Sequence, residues 1–205
     1  HPSPQGNAVY GLAFQDVNTG WAVTGCGNIL KTTDSGVNWA IILHNGGLCR
    51  DLYDLLISSQ GTLIVSGDQG TILRSVDDGV NWSNQTIADA GRLYDLSAIP
   101  GGGISAAGQN GAVVVSFDDG ITWANHGPGG AGYARHHFWK SALEAFVVGS
   151  DMFFRTTDGG NTWILQSSGI LNSFFDVSFT DSNNGTAVGS GGIILRTTNG
   201  GNIWN

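Results

Sequence analysis

Three aspartates and an arginine recur at one aligned position of a repeated segment. AVYGLAF, DLYDLLI, RLYDLSA, GYARHHF and SFFDVSF bring Gly11, Asp54, Asp95, Arg135 and Asp176 into register. Carboxylates gathered in this way suit general acid–base chemistry, since two of them in different surroundings can divide the acid and base roles of glycoside hydrolysis. His136 and His137 follow Arg135 where other copies carry Leu-Leu, Leu-Ser or Val-Ser. Successive strand residues point to opposite faces, so the two histidines are not expected to chelate one ion together. A metal site would need one of them and an aligned aspartate at ligand distance, and no metal or cofactor is assigned. His1 could hold copper only with a second histidine beside it. The plainer reading is that the aspartates cap strand starts or pair with Arg135, and that the histidines are packed and hydrogen-bonded.

A second acidic series behaves differently. The phrases TTDSGVNW, SVDDGVNW, SFDDGITW, TTDGGNTW and TTNGGNIW place Asp34, Asp77, Asp118, Asp158 and Asn199 at the same point, followed by Trp39, Trp82, Trp123, Trp163 and Trp204. A short carboxylate here can accept hydrogen bonds from the backbone N–H groups of the following turn. The adjacent glycines supply the left-handed backbone, and the indole packs over the turn or between units. Asn199 favours this reading, because an amide oxygen accepts those bonds but cannot act as a general base.

The elements that carry these residues follow from the repeat. The tryptophans are 43, 41, 40 and 41 residues apart, and the distance from the first aligned position to the centre of the phrase is 23 in every copy. Length variation therefore falls between units, as expected of compact modules joined by variable loops. Each unit holds four strands: the aligned segment (A), a run such as WAVTG or LIVSG (B), one such as NILKTT or TILRSV (C), and one beginning at the tryptophan (D). Short turns rich in Gly, Asn and Asp separate them. Four short strands per ~41 residues, repeated, predict an all-β five-bladed β-propeller of four-stranded antiparallel blades with one phrase turn per blade. It reads as one domain, 1–205, with repeats at about 8–44, 45–86, 87–127, 128–168 and 169–205. The last repeat stops at its tryptophan, so its outer strand is expected to be truncated and its edge to need a cover: the N-terminal HPSPQGN, further chain, or another subunit.

Composition limits the function. Charged residues are 12% of the chain, about half the globular norm of ~25%. A net charge of −8 argues against a nucleic-acid partner. No apolar run reaches the ~20 residues of a membrane span. Cys26, in the B–C turn of the first unit, and Cys49, in the connection to the second, reach one face of a propeller and are candidates for a disulfide, which fits an extracellular or periplasmic location. Asn81, Asn84 and Asn184 stand in glycosylation sequons.

The phrase S/T-x-D-x-G-x-x-W resembles the Asp-box, or bacterial neuraminidase repeat, and its five copies cover the chain. In that family the box is a structural turn remote from catalysis. Longer stretches, DVSFTDSNNGTAVGSGGIILRTTNGGNIW and AFQDVNTGWAVTGCGNILKTTDSGVNW, resemble the propellers of the photosystem II stability and assembly factor family. This resemblance implies a non-enzymatic scaffold with protein partners, although those propellers have seven blades and their arginine cluster is reduced here to Arg50, Arg92 and Arg135. The expected function is thus a non-catalytic binding or structural propeller that engages a protein partner, copies of itself or a glycan. The alternatives are a lectin, or a glycoside hydrolase using the ring aspartates. Glu144, the single glutamate, is expected on the opposite face from that ring, and a packed core is expected to explain the recurrent Tyr10, Tyr53, Tyr94 and Phe175.

Overall fold

The computed structural model describes residues 6–44, 49–130, 132–150, 152–166 and 173–205. His1, Pro2 and Pro4, with the N-terminal cover and copper readings that fall on them, lie outside this set. The chain folds as five antiparallel sheets, each written by one repeat. Blade 1 is β1 (Val9–Phe14), β2 (Gly20–Thr24), β3 (Ile29–Thr32) and β4 (Ala40–Leu43). Blade 2 is β5 (Leu52–Ile57), β6 (Leu63–Gly67), β7 (Ile72–Ser75) and β8 (Ser83–Asn84). Blade 3 is β9 (Leu93–Ile99), β10 (Gly103–Gly108), β11 (Val113–Ser116) and β12 (Ala124–Asn125). Blade 4 is β13 (Tyr133–Trp139), β14 (Ala145–Ser150), β15 (Met152–Thr156) and β16 (Ile164–Leu165). Blade 5 has three strands, β17 (Phe174–Phe179), β18 (Gly185–Gly189) and β19 (Ile194–Thr197). Its fourth strand is only begun, by the reciprocal backbone pair between Arg196 and Asn205.

The first strands of successive blades pack side by side, β1 on β5, β5 on β9, β9 on β13 and β13 on β17, so they line the centre. Second strands are continuously apolar or small because each is sandwiched: β6, β10 and β14 are buried along almost their whole length. A strand covered on both faces loses the polar alternation of a half-exposed one. β18 instead alternates buried and exposed residues, as a strand covered on one face does. Layers of apolar side chains between blades form the core, for example Ile64, Ile72, Leu96, Ala106 and Val114 between blades 2 and 3.

Each phrase builds the turn leading out of the third strand. In the first copy Thr32 Oγ1 accepts from Gly36 N at 3.0 Å, and Asp34 Oδ1 accepts from Asn38 N at 2.8 Å. The pattern recurs at Asp77, Asp118 and Asp158. In the fifth, the Asn199 amide oxygen accepts from Ile203 N at 3.0 Å. Gly36, Gly79, Gly120, Gly160 and Gly201 all have φ between 81° and 89°, the left-handed backbone that the turn requires. The Trp39, Trp82 and Trp123 indoles donate to the carbonyl of their own turn glycine, whereas Trp163 donates to His126 O of the preceding blade. Trp204 is buried among Phe146, Phe153 and Phe179.

One expected alignment is corrected. Strand pairing sets Gly11, Asp54, Asp95 and Asp176 opposite Val23, Ser66, Ala107 and Val188, but in blade 4 the residue opposite the equivalent Val148 is His136, not Arg135. The hairpin between β14 and β15 is one residue shorter than its counterparts: Ile64 faces Arg74, ten residues on, while Phe146 faces Arg155, nine residues on. Counting back from the phrase by a constant distance therefore lands one residue early.

Candidate functional site

The first strand of every blade carries an irregularity at the same place, between Val9 and Gly11, Leu52 and Asp54, Leu93 and Asp95, Ala134 and His136, and Phe174 and Asp176. The residue after the irregularity forms one row and the residue within it forms another. The two rows have different chemistry.

The first row is Gly11, Asp54, Asp95, His136 and Asp176. Asp54 Oδ1 accepts from its own strand at Leu55 N (2.8 Å), and its Oδ2 accepts from Leu96 N of blade 3 (2.8 Å). Asp95 Oδ2 repeats the stitch one blade on, accepting from His137 N of blade 4 at 3.0 Å. The same oxygen lies 2.6 Å from His137 Nδ1 and 3.2 Å from His136 Nδ1. His136 Nε2 then lies 3.2 Å from Asp176 Oδ1 in blade 5. Burial pushes the Asp54 carboxyl up to about 6, with the neighbouring Asp95 charge adding to the rise and the Leu96 N–H opposing it. Asp95 is also buried, yet the charge of His137 and hydrogen bonds from both histidines hold it below the ordinary carboxylate range. Burial opposes charge on His136, but the Asp95 hydrogen bond and the charges of Asp95, Asp176 and Asp54 outweigh it and raise its value.

His136 and His137 point apart as strand neighbours must, yet one carboxylate reaches both, because Asp95 stands on the adjacent strand between them. Arg135 does not pair with these aspartates as expected; its guanidinium lies over the Phe175 ring at 5.5 Å. A serine unmarked by any motif completes the network: Ser105 Oγ is 2.6 Å from His137 Nε2. Ser105, His137 and Asp95 thus have the connectivity of a hydrolase triad, but the Ser105 and His137 side chains are buried between blades 3 and 4. A nucleophile must meet its substrate, so this arrangement fastens two blades. A serine opposite a histidine on the next blade is recognisable only once the strand register is known.

The second row is Tyr10, Tyr53, Tyr94, Arg135 and Phe175. The expectation that a packed core explains the aromatic residues is not met: Tyr10 and Phe175 are about half exposed, and Tyr53 and Tyr94 are partly exposed. They form a staircase, with Tyr10 and Tyr53 ring centres 5.6 Å apart and Tyr53 and Tyr94 centres 5.1 Å apart. A backbone irregularity turns an otherwise inward residue outward, which is why alternation alone misplaces them. Beside the staircase, Arg92, Tyr94, Gln109, Tyr133 and Arg135 line a cavity of about 420 Å³ between blades 3 and 4. Arg92 is held from blade 2: Asp68 accepts from Tyr53 Oη at 2.8 Å and from Asp51 N at 3.0 Å, and pairs with Arg92 Nε at 2.8 Å. Two guanidinium groups and two phenols facing one hollow offer charge-assisted and stacking contacts to a carboxylate-bearing ligand.

The other candidates are placed as follows. Cys26 and Cys49 are joined in a disulfide beside the same face. Among the described residues, the one trio of potential ligand atoms close enough to share an ion is Cys26, Cys49 and Asp51, whose sulfurs are already bonded to each other. Glu144 pairs with Lys140 at 2.9 Å and Arg155 at 2.7 Å, which ties up its carboxylate. No helix among the described residues is long and apolar enough to cross a membrane.

No family model matches the chain, and no curated protein matches it in sequence. Solved structures of low identity share the fold. YCF48 from Cyanidioschyzon merolae superposes over 98% of this chain and 72% of its own, at 17% identity and a TM-score of 0.67. Virginiamycin B lyase from Staphylococcus aureus matches 94% of this chain and 70% of its own, at 16% identity and a TM-score of 0.71. A GH74 enzyme from Niastella koreensis matches 96% of this chain at 18% identity and a TM-score of 0.70, and the chain spans 31% of that enzyme. The architecture is therefore a β-propeller of the kind seen in YCF48, and it is shared by enzymes and by propellers of other kinds.

Proposed function

We propose that this propeller is a non-catalytic binding scaffold, and that it takes an acidic peptide segment of a protein partner on the staircase face. The observation that carries this reading is the division between the two rows. The row with acid–base potential is engaged in hydrogen bonds between blades, whereas the row of tyrosines and Arg135 leaves the strand ladder and stays partly exposed beside the Arg92 cavity. Phenol rings stack on a peptide with little loss of side-chain freedom, and paired guanidinium groups favour a carboxylate. The fold likeness to YCF48 and the sequence resemblance to the photosystem II assembly propellers are in keeping with a protein partner. The hydrogen-bonded phrase turns support reading them as Asp-boxes that brace the blades. The disulfide supports an oxidising, extracellular or periplasmic location.

The test is titration calorimetry with tyrosine-containing peptides that end in Asp-Glu with a free carboxylate, against their amidated Asn-Gln counterparts. Binding of the acidic series, weakened at least tenfold in both Arg92→Ala and Arg135→Ala, is the expected result. Equal binding of the two series, or no binding of either, would sink the proposal. A second reading, glycoside hydrolysis by the ring aspartates, draws on the GH74 likeness. It requires sugar release from a xyloglucan and glucan panel that is lost in Asp176→Asn, whose carboxylate is the most open of the ring. A lectin reading predicts oligosaccharide binding at the staircase that survives Arg135→Ala.

A further inference from the structure

The four tyrosines of the chain gather in one place, although they come from four blades. Tyr10, Tyr53 and Tyr94 form the staircase, and Tyr133 lines the cavity together with Tyr94. Phenols are also side chains that give up an electron and a proton together. Tyr10 is 51% exposed and Tyr133 45%. Other oxidisable side chains are better shielded. Met152, the single methionine, is buried, and both cysteines are joined in the disulfide. Trp21, Trp139 and Trp204 are buried, and Trp39, Trp82, Trp123 and Trp163 are half-buried with their indole N–H groups bonded to backbone carbonyls. An oxidant in solution therefore meets phenols more openly than it meets a thioether, a thiol or an indole.

Tyr53 stands at the centre of the staircase and has a base beside it. Burial raises its phenol above the usual value, with the Asp68 hydrogen bond adding to the rise. The phenol is therefore neutral at pH 7, and its proton must leave when the electron does. Tyr53 Oη donates to Asp68 Oδ1 at 2.8 Å, within the reach at which a carboxylate takes a proton directly. Asp68 is itself anchored, by Asp51 N on one oxygen and Arg92 Nε on the other. The carbonyl-bonded indoles lack such an acceptor. Tyr94 is the nearer of the two rings that flank Tyr53: their centres are 5.1 Å apart, against 5.6 Å to Tyr10. The Tyr53 and Tyr94 planes are tilted by 56°, compatible with the twist of a biaryl link.

We propose that Tyr53 and Tyr94 form an oxidative cross-linking site, at which a one-electron oxidant such as the ferryl haem of a peroxidase joins blade 2 to blade 3 through a dityrosine. Two equivalents of oxidant each accept one electron. Tyr53 gives its electron to the first and its proton to Asp68, which passes that proton to water. Tyr94 gives its electron to the second and its proton to water. The two phenoxyl radicals then pair at ring carbons ortho to the oxygens, and one C–C bond forms. Each of those carbons releases its hydrogen as a proton while the adjacent oxygen takes one up, which restores two phenols. The sum is two electrons and two protons removed and no atom added. The product rivets β5 to β9 beside the Arg92 cavity, whether or not a partner is bound there.

The experiment illuminates the dilute 205-residue protein with tris(bipyridyl)ruthenium and persulfate, a small source of one-electron oxidant. The expected product is a monomer lighter by two hydrogens, with blue dityrosine fluorescence. Trypsin should release residues 51–74 and 93–135 from it as one joined species. Tyr53→Phe and Tyr94→Phe should each abolish that species, whereas Tyr10→Phe and Tyr133→Phe should leave it. Asp68→Asn should slow its formation by at least about tenfold, and added imidazole should restore the rate by serving as the base. A fold damaged by that substitution would not be rescued in this way. Protein unfolded in urea should lose the intramolecular link. Five results overturn the proposal: a link through Tyr10 or Tyr133, covalent dimers as the main product, equal yield from unfolded chain, a wild-type rate in Asp68→Asn, or oxidation confined to Trp and Met with no dityrosine.

Discussion

Asp54 gives the sharpest test of how the ring is held. Its carboxyl is raised from 3.8 to about 6 in the fold, mainly by burial. The folded protein therefore holds one proton more than the unfolded chain across that interval. For a carboxyl raised on folding, the associated stability is fully present below the unfolded value and is lost as pH climbs through the folded one. At ~1.4 kcal/mol per pH unit the loss comes to about 3 kcal/mol by pH 7. Asp95 runs the other way: its lowered value means stability present above its unfolded value and lost only as pH falls below it, so the two windows are separate. His136, raised, adds a further loss as pH rises beyond its ordinary value. Asp54→Asn isolates the first of these. The amide is uncharged like the protonated acid but offers one acceptor oxygen, and Leu55 N and Leu96 N bond different carboxyl oxygens, so at pH 4 the variant should be less stable than wild type by about 1–3 kcal/mol. Between pH 4 and pH 7 the difference should move by up to about 3 kcal/mol in the variant's favour, because only the wild type loses stability through Asp54. Urea unfolding at half-unit steps from pH 4 to pH 8 measures both curves. A constant difference across the range would refute the burial argument and mean that Asp54 stays ionised against water or an unrecognised cation.

Two further outcomes follow from the same geometry. Ser105→Ala leaves His137 Nε2 buried without its partner, so a loss of about 1–3 kcal/mol in unfolding free energy is expected, and wild-type Ser105 should resist a fluorophosphonate probe; labelling of Ser105 would revive a hydrolase. Reduction of the Cys26–Cys49 bond, which spans 23 residues, should lower stability by about 3 kcal/mol, read as a shift in urea midpoint with and without reductant; an unchanged midpoint would mean that the packing of blade 1 on blade 2 already restricts that loop in the unfolded ensemble.

Much of the fold was legible because the unit is written five times. The phrase states its own turn, from the Thr or Ser that accepts the glycine N–H to the indole that closes it, and Asn199 showed that oxygen rather than ionisation matters there. The disulfide was legible from which turns share a face. The ring was misread by one residue in blade 4, because a one-residue deletion in the β14–β15 hairpin moves the register without moving the phrase. The tyrosines were misread because alternation assigns a residue to one face or the other, and an irregular pairing presents a third direction. The exposed flank of blade 5 had only a partial trace in the sequence: β18, with Thr186 and Val188, departs from the wholly apolar or small pattern of β6 and β14, and which of its side chains are exposed is read only from the packing.

That same packing decides where binding can reside. A carboxylate at the centre of a propeller faces two demands, since the next blade's strand presents an N–H that burial would leave unpaired, and any ligand in the channel presents its own groups. In blades 2 and 3 the first demand is met at 2.8 and 3.0 Å, so a ligand would have to break a junction to use Asp54 or Asp95. Asp176 makes no such stitch among the described residues, and its oxygen instead lies 3.2 Å from His136 Nε2 of the preceding blade. The irregularity at the start of each first strand removes the conflict: it lets one residue per blade leave the ladder and face outward while its neighbour keeps the stitch. Tyr10, Tyr53, Tyr94, Arg135 and Phe175 can therefore change from blade to blade without loosening the ring, and a surface free to vary in that way is where partner specificity can be written.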